Sequence, residues 1–316
     1  LCGLGRICLC LLWLLAGCAG PPEERKPLRL ADALNVEGRR YYREGDYRSA
    51  RRLFEEALVR AEATDALAAE ADALNNLGTC CRMFGDLERA ERLFRRALTL
   101  NRRLDRKREQ ALNLNNLGGL LVTRGKPGAA AERLKEARVL FVEIEDRAGE
   151  AGVCHNLGFL AMKEDRLEAA REHFREAEEI NRERADPYAL SRNLVNLAEI
   201  ALRRGRKGEA LRHYQESLRL AKEVGNLPAA ARHLRAIARV QEAMGQRTEA
   251  IWHLERALKV HRGLEAWARV LEDCEALIAL CRAAGKEESA LLYLREKAQT
   301  EEKWKKKARK GTRGTD

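Results

Sequence analysis

Between Ala71 and Arg103 the chain reads Leu74-Asn75-Asn76-Leu77-Gly78, then Gly85-Asp86-Leu87, then Ala90, Phe94 and Ala97. The same skeleton returns 40 residues away in either direction. The small residue at Gly78 recurs as Gly38, Gly118, Gly158, Ala198 and Ala238, lapsing only at Ile278. The turn residue Gly85 recurs as Gly45, Gly125, Gly205, Gly245 and Gly285, with Asp165 in the remaining place. Ala90 recurs as Ala50, Ala130, Ala170, Ala210, Ala250 and Ala290. Phe94 recurs as Phe54, Leu134, Phe174, Tyr214, Leu254 and Leu294. Seven units at a fixed period with no insertion make a repeat array.

Within one unit the apolar residues fall at helical spacing on both sides of the turn. Leu74, Leu77 and Cys81 form one stripe; Leu87, Ala90, Phe94 and Ala97 form the next. Each unit therefore reads as two helices joined by a tight turn. The turn glycine fits a backbone site of positive φ, where aspartate is a tolerable substitute. Small residues at Gly78 and Ala90 allow two helices to approach, and the bulky residue at Phe94 fills the remaining gap. One such pair cannot bury its own stripes, so neighbouring pairs must stack into a solenoid.

The pattern resembles the tetratricopeptide repeat in a forty-residue form, carried by Leu77-Gly78, Leu117-Gly118, Leu157-Gly158, the recurring alanine and the bulky residue four positions after it. The resemblance covers residues 31–300 and implies an all-α, right-handed α-solenoid of seven helix-turn-helix repeats. Departures sit at the ends: Glu37 in the first repeat, Ile278 and Lys297 in the seventh. Terminal repeats are atypical because one side meets water.

Ahead of the array, Ile7 to Leu15 is almost wholly apolar and follows Arg6. That stretch is shorter than a bilayer span and has the arrangement of a signal peptide, expected over residues 1–17. Leu15-Ala16-Gly17-Cys18 resembles the lipobox of bacterial lipoproteins. The resemblance implies cleavage before Cys18, a thioether-linked diacylglycerol on that thiol with an acyl chain such as palmitate on the new N-terminus, and a lipid-anchored place in the bacterial cell envelope. With Ala19 after the cysteine, it implies the outer membrane if the cell is Gram-negative. An ordinary secretory signal or a buried hydrophobic start is the alternative. Residues 18–30 are expected to be the lipidated cysteine and a Pro-rich charged tether.

The net charge is +11. Residues 301–316 hold seven basic and three acidic residues, a surplus of four, and are expected to fray from a last helix into disorder. With Arg6 removed, about +6 remains for the array and tether. The basic tail is compatible with anionic lipid or nucleic acid, but a solvated tail is the simpler reading. Trp304 alone offers too little aromatic surface for the stacking platform of single-strand binders, so a nucleic-acid partner is disfavoured.

Cys154 and Cys274 share a register with Leu34, Leu74, Leu114, Leu194 and Leu234, and Cys81 and Cys281 share one with Leu121 and Ala161. They read as small buried hydrophobes, neither disulfides nor metal ligands. The six histidines form no H-E-x-x-H motif, Gly205-Arg206-Lys207-Gly208 lacks phosphate-loop spacing, and no Gly-x-Ser-x-Gly elbow occurs. No enzyme, cofactor or metal site is expected.

What remains is the groove. In tetratricopeptide domains the first helix of each unit lines it, through positions two, three and six before the small residue and the one after. Here Asn76, Asn116, Asn156 and Asn196 stand two before it, and Asn35, Asn75, Asn115 and His155 stand three before. The run resembles the asparagine ladder with which chaperone adaptors and kinesin light chains hold a peptide main chain. An amide both donates and accepts, which suits that task. The alternative is that these asparagines bond a neighbouring helix and set the layer spacing. Farther along, Arg192, Arg232, Arg235 and Arg239 fall on the same registers and resemble basic clamps for an acidic segment or a free C-terminus. The expected function is a membrane-tethered scaffold for a protein or peptide partner in assembly of an envelope complex. The other reading is a cytosolic regulator or signalling adaptor whose first residues are not a signal.

Overall fold

The computed structural model describes residues 22–311. Among these there are fourteen helices and no strand. In chain order they are α1 (Pro22–Glu44), α2 (Tyr47–Ala63), α3 (Leu67–Met83), α4 (Leu87–Arg103), α5 (Lys107–Thr123), α6 (Pro127–Glu143), α7 (Arg147–Lys163), α8 (Leu167–Glu183), α9 (Pro187–Arg203), α10 (Lys207–Glu223), α11 (Leu227–Ala243), α12 (Arg247–Gly263), α13 (Trp267–Ala283) and α14 (Glu287–Gly311). The chain divides into two compact units between Gly149 and Glu150. Each unit is a stack of helical hairpins in which every helix meets its chain neighbour.

Two features stop and start the helices. The turn register is left-handed throughout, from Gly45 at φ 88° to Gly285 at φ 70°, and Asp165 adopts φ 57°. A second left-handed register lies between hairpins, at Asp65, Asp105, Glu145, Ala185, Gly225 and Glu265. It was not apparent in the sequence because five of those six residues are not glycine. Where a side chain can cap the next helix it does: Asp46 accepts from the Ser49 amide (3.0 Å), Asp86 from Arg89 (3.1 Å) and Asp186 from Ala189 (2.9 Å).

The hairpins close by fitting a large side chain onto a missing one. Phe94 is fully buried against Gly78, where an added Cβ would lie 2.7 Å from the ring. Phe54 meets Gly38, Leu134 meets Gly118 and Phe174 meets Gly158 in the same way, at 2.5, 2.6 and 2.8 Å. The recurring alanines, Ala50 to Ala290, are all at 0% exposure. Phe141 uses a different glycine, Gly149, where an added Cβ would collide with the ring. Cys80, Cys81, Cys154, Cys274 and Cys281 are free thiols in this core. Burial pushes Cys80 and Cys274 up to about 12, so they stay neutral and inert.

Both ends differ from the expected boundaries. Helix α1 begins at Pro22, inside the expected tether; proline is well placed in a first helical turn. Helix α14 runs through Gly311, inside the expected disordered tail. It is held by Lys297 to Glu275 at 2.7 Å and by Lys307 to Glu265 at 2.5 Å. The expected signal over 1–17 and the lipidation at Cys18 lie outside the described residues, as do residues 312–316. Among the described residues no helix is long and apolar enough to cross a membrane.

Candidate functional site

In the first unit the asparagines on α1, α3 and α5 are brought together, but they bond each other first. Asn76 Nδ2 donates to Asn35 Oδ1 at 3.2 Å, and Asn35 Nδ2 donates to the Ala69 carbonyl at 3.2 Å. One hairpin on, Asn116 Nδ2 donates to Asn75 Oδ1 at 2.9 Å. Asn75 Oδ1 also accepts from Asn113 Nδ2 at 2.9 Å, and Asn113 Oδ1 accepts from Asn101 Nδ2 at 2.8 Å. Arg106 completes the chain, donating to Asn101 Oδ1 at 3.2 Å and pairing with Asp72 at 3.0 Å. These bonds tie each of these hairpins to the one before it. The physical reason is register: the amide two before the small residue reaches the amide three before it in the preceding repeat. The Oδ1 atoms of Asn76 and Asn116 take no partner among the described residues. Asn75 and Asn76, with Asn101, Asn113, Asp72, Arg39 and Arg108, line a cleft of about 360 Å³. Asn115 and Asn156 are half-buried and also interact within the chain.

The second unit offers a different site. His155 on α7, Arg192 and Asn196 on α9, and Arg232 and His233 on α11 line a cleft of about 330 Å³, with Tyr188 and Asn226 at its edge. His155 Nδ1 meets Asn193 Oδ1 at 2.7 Å, and its Nε2 meets Arg192 Nη2 at 3.0 Å. Only the neutral Nδ1–H tautomer satisfies both bonds, because the guanidinium must donate. Burial, with Arg192 adding to it against the Asn193 bond, holds His155 down to about 4. His233 is held down to about 4 by burial and faces Ser217 Oγ, 3.1 Å from its Nδ1. Arg192 and Arg232 are exposed and have no carboxylate partner among the described residues.

The clamp residues therefore separate. Arg192, bonded only to the neutral His155 ring, and Arg232 stand over the cleft without a carboxylate among the described residues, whereas Arg235 is engaged within the protein, 2.6 Å from Glu272 and 3.1 Å from Asp273. Asp273 is fully buried, so Arg235 is held by carboxylates of its own chain. Arg239 is exposed and Asn196 half-buried; Asn196 lines the cleft and Arg239 does not.

Sequence reading passed over one register, five residues before the small one. It holds Ala73 in one repeat but buried polar groups in others: Asn113 (1% exposed), Asn193 (1%), His233 (7%) and Asp273 (0%). Asn113 meets Asn101 and Asp273 meets His261 at 2.6 Å, each partner twelve residues earlier. Where Ala73 stands, the residue twelve earlier is Ala61, also buried. Comparing repeats for positions that turn polar together would have found these pairs.

The two histidines make stability depend on pH. Their folded pKa lies below the unfolded value of about 6.5, so the unfolded chain takes up protons first as pH falls. Stability is expected to be flat above pH about 6.5 and to fall toward pH 4, with a slope of up to about 1.4 kcal/mol per pH unit for each histidine. Melting midpoints from pH 7.5 to 4.5 check this. His155→Gln with His233→Gln should flatten the upper part of the curve, and an unchanged slope would refute the assignment.

The tetratricopeptide repeat family matches residues 69–140, 151–223 and 190–263, and a second form of that repeat matches residues 30–64. Among solved structures, BtubC from P. vanneervenii is similar, at 20% identity and TM-score 0.62, over 69% of this chain and 92% of that one. A signal-transduction ATPase with a tetratricopeptide repeat sensor from Pyrococcus horikoshii aligns at 16% identity and TM-score 0.70, over 86% of this chain but 40% of its own. The Rap conjugation gene regulator of the plasmid pLS20, in complex with a Phr peptide, aligns at 16% identity and TM-score 0.63, over 85% of this chain and 73% of that one. At these identities the likeness is one of fold. Among curated proteins none matches significantly.

Proposed function

This chain belongs to the tetratricopeptide repeat family, and from that membership we propose that it is a scaffold holding an extended polypeptide against the first helices of its hairpins. The observation that carries this reading is the cleft of the second unit. Two guanidiniums, Arg192 and Arg232, stand over it with no carboxylate among the described residues to neutralise them, beside the Asn196 amide and the aromatic edge of Tyr188. Such a surface suits an acidic side chain or a free C-terminus, held by charge-assisted hydrogen bonds. In the first unit the asparagine carbonyl groups left over from the ladder supply acceptors for main-chain N–H groups. The complex of the Rap regulator with a Phr peptide supports a peptide as occupant of this architecture.

Residues 1–18 support placing the scaffold on a membrane of the bacterial envelope, through lipid on Cys18, where it would organise a protein complex. The regulatory character of the Rap and ATPase neighbours favours the second reading, a cytosolic regulator. Radiolabelled palmitate on Cys18 in the growing cell separates the two: incorporation lost in Cys18→Ala supports the anchor, and no incorporation in the native chain sinks it.

Arg192→Glu with Arg232→Glu is expected to weaken capture of an acidic peptide by about 10–100-fold, the worth of one or two hydrogen bonds to a charged group. Both side chains are exposed and only the Arg192 bond to His155 is lost, so the melting midpoint should move little at pH 7.5. Titration by fluorescence anisotropy at two salt concentrations reads the loss; unchanged affinity and salt dependence would eliminate the clamp.

A further inference from the structure

His155 on α7 and Arg192 on α9 stand 37 positions apart, and the same two registers recur two repeats on as Arg235 on α11 and Glu272 on α13, also 37 apart. In that later copy the two side chains form an ion pair of 2.6 Å. The next residue, Asp273, holds Arg235 from a second side at 3.1 Å. The charge of Arg235 is therefore balanced inside the protein. In the earlier copy the chemistry is inverted. His155 takes the place of Arg235, the guanidinium sits on Arg192, and Asn193 stands where Asp273 does. His155 Nδ1 donates to Asn193 Oδ1 at 2.7 Å, and Arg192 donates to His155 Nε2 at 3.0 Å. From α8 the Phe174 ring meets the imidazole edge-on, with centroids 5.5 Å apart.

A glutamate at position 155 would orient Arg192 as Glu272 orients Arg235, but it would cancel the charge. A neutral imidazole orients the guanidinium and leaves its charge whole for a ligand. Burial keeps the ring neutral near pH 7, and Arg192 is the charged group that acts on it. The other titratable groups around the same cleft are Tyr188, Arg232 and His233. Arg232 lies in the register of Arg192, but Val195 lies in that of His155 and offers it no acceptor. We propose that His155 is a positioning residue, a neutral link between Asn193 and Arg192 that holds one guanidinium ready over the cleft with its charge unbalanced. His155 then serves the ligand through Arg192. This inference rests on the reading of the cleft as a site for an acidic segment.

Titration of the full chain at pH 7.5 with a fluorescein-labelled, glutamate-rich peptide, followed by anisotropy, tests it. Arg192→Gln is expected to weaken binding by about tenfold. His155→Leu should weaken it by about three- to tenfold, because the ligand must then order a long side chain itself. His155→Gln can still donate to Asn193 and accept from Arg192, so it should keep the native affinity. His155→Glu should lose as much as Arg192→Gln. In the Arg192→Gln background His155→Leu should add nothing, whereas a merely structural role would add its full loss again. Native affinity in Arg192→Gln would overturn the reading of the cleft and the positioning role with it. If Arg192→Gln weakens binding, the positioning role alone falls when His155→Leu binds like the native chain, when His155→Gln fails to rescue, or when His155→Glu retains affinity. Should His155→Leu not fold, the contrast between His155→Gln and His155→Glu decides the same question.

Discussion

Asp273→Ala is expected to destabilise the second unit by about 3–5 kcal/mol, the range for breaking a buried ion pair by removing one partner. The carboxylate is at 0% exposure, with His261 Nδ1 at 2.6 Å and Arg235 Nε at 3.1 Å. Removing it leaves His261, itself 4% exposed, with an unsatisfied ring nitrogen beside a cavity. Arg235 keeps Glu272 and is the lesser loser. The polar pair need not be the most stable occupant of its site, because its hydrogen-bonding groups must first be taken out of water. His261→Leu with Asp273→Val is therefore expected to unfold within about 1 kcal/mol of the native chain, or later. Urea unfolding of the three proteins checks both statements, read from midpoints at constant slope. A single mutant that unfolds with the native chain would show that water reaches the aspartate.

Phe174→Ala is expected to destabilise by about 3–5 kcal/mol, and toward the upper end, because the site cannot collapse. The ring is at 0% exposure and lies on Gly158, which has no side chain to move into the space. The converse change, Gly158→Ala, drives a Cβ to 2.8 Å from the ring and is expected to cost about 1–3 kcal/mol by overpacking. The sixth repeat shows the compensated solution, Ala238 with Leu254, buried at 2% and 3%. Gly158→Ala with Phe174→Leu should accordingly recover most of the loss. Thermal unfolding of the native chain, Gly158→Ala, Phe174→Leu and the double variant decides the matter, since independent sites would give additive effects and this pair should not.

The hairpins and their core were legible because their causes repeat. A left-handed turn admits few residues, and a glycine under a large ring admits one, so the period shows through at Gly85 and Gly78. The reading of the site was less complete for a definite reason. Asn76 and Asn116 were in view, but whether an amide faces a ligand or the amide of the preceding repeat depends on a separation of a few ångströms. Arg235 looked like Arg232 in the sequence, and only the position of Asp273 tells them apart. The helical courses of Pro22 and Gly311 were hidden because their neighbourhoods are polar and give no periodic signal.

The hydrogen bonds that tie one hairpin to the next span short stretches of chain: 41 positions from Asn76 to Asn35, 38 from Asn113 to Asn75 and 42 from Lys307 to Glu265. Among the described residues these bonds join repeats that are adjacent in the chain. Folding of so local a topology is expected to be fast, since little loop-closure entropy precedes the first favourable contact. On the ribosome, a hairpin could settle against its predecessor as soon as the next few dozen residues had emerged, long before synthesis ended.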